Sequence, residues 1–225
     1  MGHQFTPFAL GLFGLDIAGV LLLTFVMIGS NLLRNQVWSF LGQAWLVACA
    51  SFMLGIELNN NSFFVLAIIY ALLRGLLLPY FFYRILNVHK AHEEKIDRVS
   101  PSSAMLFGLV LIVFSFIVSS RLMHVMQVES SLIRIALSSM FAIVLISFLM
   151  LVIRHHALSK IIALLMIENG IVLGGQFLVL DTGIFIALIA VFDVLIAVVS
   201  FKVMTRYMLE QIGDTDNRKM RKLIG

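Results

Sequence analysis

Residues 161–180 read IIALLMIENGIVLGGQFLVL, an apolar run whose single ionisable side chain is Glu168. A hydrocarbon layer of about 30 Å is crossed by about 20 helical residues at 1.5 Å each, and this run meets that length. In lipid a lone segment satisfies its backbone only as a helix. The stretch therefore predicts a transmembrane α-helix with a carboxyl group inside it. Working outward, the same reading applies to residues 8–30, 36–57, 62–87, 104–121, 132–153, 158–180 and 184–208. The expected fold is an all-α polytopic membrane protein with seven transmembrane helices. A chain of 225 residues that is 61% hydrophobic and 12% charged carries more apolar surface than a soluble domain buries, so the lipid bilayer is its main solvent. The one sizeable link, residues 88–103, holds Lys90, Glu93, Glu94, Lys95, Asp97, Arg98 and Pro101. No soluble catalytic domain fits there, and the chain is not expected to be an enzyme on its own.

The basic residues report topology. Of the 16 Lys and Arg, Arg34, Arg84, Lys90, Lys95, Arg98, Arg154, Lys160, Lys202, Arg206, Arg218, Lys219, Arg221 and Lys222 fall on one side of a seven-span layout. Arg121 and Arg134 fall on the other, and Arg74 lies within a span. Basic residues concentrate on the cytoplasmic side, so the amino terminus is expected outside and the carboxyl terminus in the cytoplasm, in the cell inner membrane. The formal charge of +4 is explained this way without nucleic acid as a partner. No Lys or Arg precedes Arg34, so the first span lacks the charged start of a cleavable signal peptide and reads as a retained helix. The one cysteine, Cys49, cannot by itself support an iron–sulfur cluster or a Cys-based zinc site.

An ionisable group at the bilayer centre costs about 2.5–3.5 kcal/mol on insertion scales and usually faces a protein interior or a hydrated path. Glu168 lies about 15 Å into the sixth span at 1.5 Å per residue. Asp193 lies at a similar depth in the seventh, on an antiparallel helix. Desolvation favours the neutral form of a carboxyl, the property a proton relay needs. The same two residues also suit a second role, as buried hydrogen-bonding groups that lock helices together. Arg74 sits mid-way through the third span, five residues before Pro79. A guanidinium does not escape by deprotonation, so it serves either as a fixed charge that tunes a neighbouring acid or as half of a static ion pair. Its charge needs a carboxylate or a column of water, and Asp16 in the first span is a candidate carboxylate. Pro79 should kink or loosen the turn that holds Arg74. Glu57 reads as interfacial. Gly170 and Gly174 have the small-xxx-small spacing of close helix packing, with a hinge as the other reading. The proton-transfer candidates are thus Glu168, Asp193, Arg74 and Asp16.

His3, His89, His92, His124, His155 and His156 all lie near span ends or in links, and the neighbours His155 and His156 point apart on a helix, so no metal site is expected. No phosphate-binding glycine loop is present, and no Ser, His and Asp stand at a readable spacing for hydrolysis. No catalytic, metal-binding or cofactor-binding residue is assigned.

Three features group together: Arg154-His155-His156 before the sixth span, Leu165-Met166-Ile167-Glu168-Asn169-Gly170 within it, and Asp193 in the seventh. With Arg74 and Pro79, and the tail from Asp214-Thr215-Asp216-Asn217 to Lys222-Leu223-Ile224-Gly225, they resemble the hydrogenase-4 component E family over nearly the whole chain. Members are membrane subunits of group 4 [NiFe] hydrogenase and formate hydrogenlyase-type complexes. The last three spans resemble the K-type subunit of respiratory complex I, and Glu168 matches the first of its two proton-channel glutamates. Asp193 matches the second in place but not in type, and the loop Asp181–Gly183 is shorter. Arg74 stands where the family often carries lysine, a more readily titrated group. The resemblance implies residues 1–131 as a four-helix part, 132–210 as a three-helix K-type part and 211–225 as a cytoplasmic tail. It implies antiporter-like membrane subunits, an H-type membrane subunit, and [NiFe] hydrogenase and iron–sulfur subunits as partners, with no cofactor on this chain.

The expected function is a proton-translocating membrane subunit of such a complex. Two alternatives stay open: a purely structural bridge in the same assembly, and a free-standing ion transporter. A retinal protein needs a lysine deep in its last span, whereas Lys202 lies toward the end. A self-sufficient transporter usually shows two related halves, and none are evident between residues 1–103 and 104–225.

Overall fold

A computed structural model describes residues 5–88, 99–125, 127, 130–154 and 157–178, together with the isolated positions Val199, Lys202 and Arg206. Its elements are α1 (Pro7–Gly29), α2 (Leu33–Leu58), α3 (Asn61–Leu72), a π-helical turn (Leu73–Leu77), α4 (Leu78–Val88), α5 (Pro101–Val125), α6 (Ser131–Ile153) and α7 (Ala157–Leu178). The segment from α3 into α4 forms one span, so the described residues contain six helices long and apolar enough to cross a membrane. They are all-helical, with the architecture of a multi-pass membrane protein. The expected seventh span, 184–208, lies outside the described residues except for Val199, Lys202 and Arg206, each of which is helical. Asp193, the loop at 181–183 and the tail also lie outside them.

Local chemistry sets the ends of these helices. Pro7 occupies the first turn of α1, where no amide donor is needed, and the Thr6 hydroxyl accepts from Ala9 N at 3.3 Å. Asn60 and Ser130 cap α3 and α6 through Ser62 N and Ile133 N. Asn59 closes α2 in a left-handed conformation, φ 49°, which asparagine tolerates better than most residues. Glu57, at this same end of α2, accepts a hydrogen bond from the Thr6 hydroxyl at 3.3 Å. At the other end of α1, the buried Arg154 donates to Ile28 O at 2.7 Å, to Ser30 O at 2.8 Å and to Asn31 Oδ1 at 3.0 Å. Its guanidinium thereby satisfies carbonyls at the negative end of α1 and ties α6 to the α1–α2 link.

Glycines set how closely the helices approach. Leu46 lies over Gly19 and Leu23 over Gly42, a reciprocal fit that joins α1 to α2. On α7, Gly170 faces Ile143 and Gly174 faces Met140, both on α6, which is close packing of the small-xxx-small kind. One core combines Phe13 and Val20 of α1, Val47 and Leu54 of α2, Phe63 and Leu66 of α3, Ile143 of α6 and Leu173 of α7. Residues expected in the four-helix and three-helix parts thus share a single interior. α5 is the least buried span and packs on α1 and α6.

The packing gives a direct test. A Cβ at position 174 would lie 2.6 Å from the Met140 Cβ, an atom that cannot swing away, whereas one at position 11 meets nothing within 4 Å. Gly174→Ala should therefore destabilise the detergent-solubilised protein by about 1–3 kcal/mol. Gly11→Ala should leave thermal unfolding unchanged or slightly raised. Equal midpoints for the two variants would show that the α6–α7 contact is looser than described.

Candidate functional site

Arg74 stands midway along the continuous helical run Asn61–Val88, and Glu168 midway along α7. The structure brings them together: Arg74 Nη2 donates to Glu168 Oε2 in a buried ion pair, with side-chain exposures of 0% and 12%. Arg74 Nη1 also donates to Leu165 O and to Asn169 Oδ1, each at 3.0 Å. One guanidinium therefore grips a carboxylate, a carbonyl and an amide on consecutive turns of α7. The Tyr70 ring lies under the guanidinium at 5.2 Å, and its hydroxyl donates to Asn169 Oδ1.

The backbone at Arg74 has a physical cause in Pro79. Proline cannot donate to Gly75 O four residues back, and the helix answers with a π turn in which Leu78 N bonds Leu73 O, five residues back. The expected loosening thus takes the form of one widened turn, which buries both Arg74 and Gly75. The missing side chain of Gly75 lets the Trp45 indole lie against it, 3.2 Å from where a Cβ would stand.

From Asn169 a chain of hydrogen bonds continues across two more helices. Asn169 Nδ2 donates to Gln43 Oε1 at 3.4 Å. Gln43 Nε2 in turn donates to Thr24 Oγ1 at 2.6 Å and to Val20 O at 3.3 Å. The Thr24 hydroxyl donates to Val20 O at 2.8 Å. A second link between α2 and α7 runs from the Ser51 hydroxyl to Gln176 Oε1 at 2.7 Å. The site is thus a polar seam inside an apolar bundle, built from α1, α2, the π turn and α7.

Asp16 takes a different position from the one expected. Among the described residues, the acid that meets Arg74 is Glu168. Asp16 is 7% exposed, and its Oδ2 has no hydrogen-bond partner among them. Arg74 packs from the π turn against α7, whereas Asp16 lies on the face of α1 that also carries Ile17, Val20 and Thr24. Gln43, Tyr70 and Thr24 were not singled out by sequence, and Asn169 entered only as part of the Glu-Asn-Gly segment, with no role assigned to it. For Gln43 the signal was the spacing of Gln36, Ser39 and Gln43 along one face of α2, with all three buried. Among the described residues, no group of three or more His, Cys, Asp or Glu is placed to hold a metal ion.

Chemically, the pair does two things. It fixes a positive charge that does not titrate, and it holds one carboxylate at mid-span, where proton gain or loss changes a desolvated charge balance.

The chain is similar to "Uncharacterized protein Rv0085" of Mycobacterium tuberculosis, with 28% identity over 206 residues that cover 91% of this chain and 92% of that protein. No protein-family model matches the chain, and no solved structure matches it.

Proposed function

We propose that the chain is a membrane subunit of a hydrogenase-type, complex I-related assembly in the cell inner membrane. It contributes to proton translocation, while redox chemistry belongs to partner subunits. The observation that carries this reading is the Arg74–Glu168 pair at mid-span, inside a hydrogen-bonded seam. The resemblance of the Glu-Asn-Gly segment to the component E family supplies the choice of partners: antiporter-like and H-type membrane subunits and the [NiFe] and iron–sulfur subunits. In this reading the amino terminus is outside, Asp193 is the second carboxyl of the path, and seven spans complete the bundle.

The proposed step is a charge exchange at Glu168. When Glu168 takes up a proton, the guanidinium loses its counter-charge but keeps Leu165 O and Asn169 Oδ1 as acceptors. The restored need for a counter-charge then favours release of the proton toward the next acid. The π turn lets Arg74 shift without breaking a regular helical ladder.

A structural reading also has a specific observation in its favour, since three acceptors on α7 for one guanidinium make a firm clamp. Here the pair holds helices, and the chain bridges modules of the same assembly.

Tagged protein purified gently from its native host should carry the antiporter-like and [NiFe] subunits at high mass. A lone chain or homo-oligomer would favour a free-standing transporter. In assembled complexes, Glu168→Gln should lower protons moved per redox turnover at least several-fold. Full coupling in complexes that do assemble, with only the yield reduced, would leave the bridging role in its place.

The ion pair itself has a separate signature. Arg74→Gln alone leaves a buried carboxylate without its main counter-charge and should cost about 3–5 kcal/mol in detergent unfolding. Arg74→Gln combined with Glu168→Gln should recover most of that loss, and a purely additive double variant would mean the two side chains act independently.

A further inference from the structure

Asp16 is a carboxyl inside a span that the Arg74–Glu168 pair does not use. It is 7% exposed, and Oδ2 is buried with no hydrogen-bond partner among the described residues. An ionised carboxylate in that condition costs several kcal/mol, because nothing replaces the water it has lost. The charged groups on the helices packed against α1 do not offset it. Arg34 and Glu57 stand at the two ends of α2, Arg121 and His124 at the end of α5, Arg134 at the start of α6, and Arg154, at the other end of α6, is bonded to Ile28 O and Ser30 O at the end of α1. Arg74 is committed to Glu168. Cys49, the remaining titratable side chain of α2, carries no positive charge. A desolvated metal cation needs several oxygen ligands, and no acidic cluster supplies them among the described residues. A proton needs only one.

Asp16 also has a place in the seam. It shares one buried face of α1 with Val20 and Thr24, four and eight residues on. Val20 O and Thr24 Oγ1 receive Gln43, whose amide is linked through Asn169 to Arg74 and so to Glu168. Along α1 the separation from Asp16 to Thr24 is about 12 Å.

We propose that Asp16 is a further proton-binding site of the bundle, a carboxylic acid carried on α1 and separate from the Arg74–Glu168 pair. The two acids divide the work: Glu168 is the counter-ion of a permanent cation, and Asp16 holds a proton. This inference stands whether or not the chain couples to a redox partner, because it concerns the full chain in a membrane.

Two measurements on native membranes and on the full purified chain test it. Dicyclohexylcarbodiimide reacts with protonated carboxyls in apolar surroundings. The acid proton passes to a carbodiimide nitrogen, the carboxylate oxygen bonds to the central carbon, and the adduct rearranges to a stable N-acylurea. Peptide mass spectrometry near neutral pH should find this adduct on Asp16, lost in Asp16→Asn. Infrared difference spectra of wild type against Asp16→Asn decide the matter independently of reagent access. The wild type should show a protonated-carboxyl C=O band that shifts in D2O and is missing from the variant. Absence of that difference band overturns the proposal. Suppression of the labelling by sodium chloride, relative to choline chloride at equal concentration and pH, also overturns it by showing that a cation occupies the carboxylate.

Discussion

A guanidinium at mid-span is the constraint from which the rest of the bundle follows. Unlike lysine, Arg74 has no neutral form available, so burial obliges the fold to deliver a carboxylate and further acceptors to one point. α7 does this with Leu165 O, Glu168 and Asn169, which fall on consecutive turns of one helix. For α7 to lie that close, its other face must accept α6 without side chains in the way, and Gly170 and Gly174 leave that space for Ile143 and Met140. The π turn before Pro79 buries Arg74 while keeping the backbone bonded across the break. Each of these features is local, yet all serve one electrostatic requirement.

Much of this fold was readable in the sequence, since apolar runs of bilayer length leave few architectures open. The spans expected at 62–87, 132–153 and 158–180 each begin one residue after the observed helix start, at Asn61, Ser131 and Ala157, and the second ends at Ile153 as expected. The poorest agreement is the span at 104–121, because α5 runs from Pro101 to Val125. Hydropathy marks where lipid contact stops, whereas the helix continues through Arg121 and His124, whose polar heads suit the membrane edge. Caps such as Thr6, Asn60 and Ser130 place helix ends, and they are too common a residue class to be singled out in advance.

The site was readable in its charges and not in its connections. Arg74 and Glu168 stand out because ionisable residues inside spans are rare. Their pairing did not, since Asp16 offers the same chemistry and the choice depends on which helices become neighbours. Gln43 and Thr24, and the role of Asn169, were hidden for another reason: uncharged polar groups enter a bundle cheaply, so their presence alone carries little information. Only the geometry turns them into a chain, with one amide accepting from Arg74 and Tyr70 while donating to Gln43.

The contrast between Glu168 and Asp16 then points to different physical roles for them. Glu168 lies against a permanent cation, so its charge is part of what makes the mid-span core stable. Its protonation is coupled to the state of Arg74 and through Asn169 to α2. Asp16 has no such partner among the described residues, so changing its charge is opposed by desolvation alone. A group of the first kind links proton binding to helix arrangement, because the clamp on α7 loosens when its charge is cancelled. A group of the second kind stores a proton and leaves the helices where they are. Under the proposed reading, placing one on α7 and the other on α1, at the two sides of a hydrogen-bonded seam, would separate coupling from holding within a single bundle.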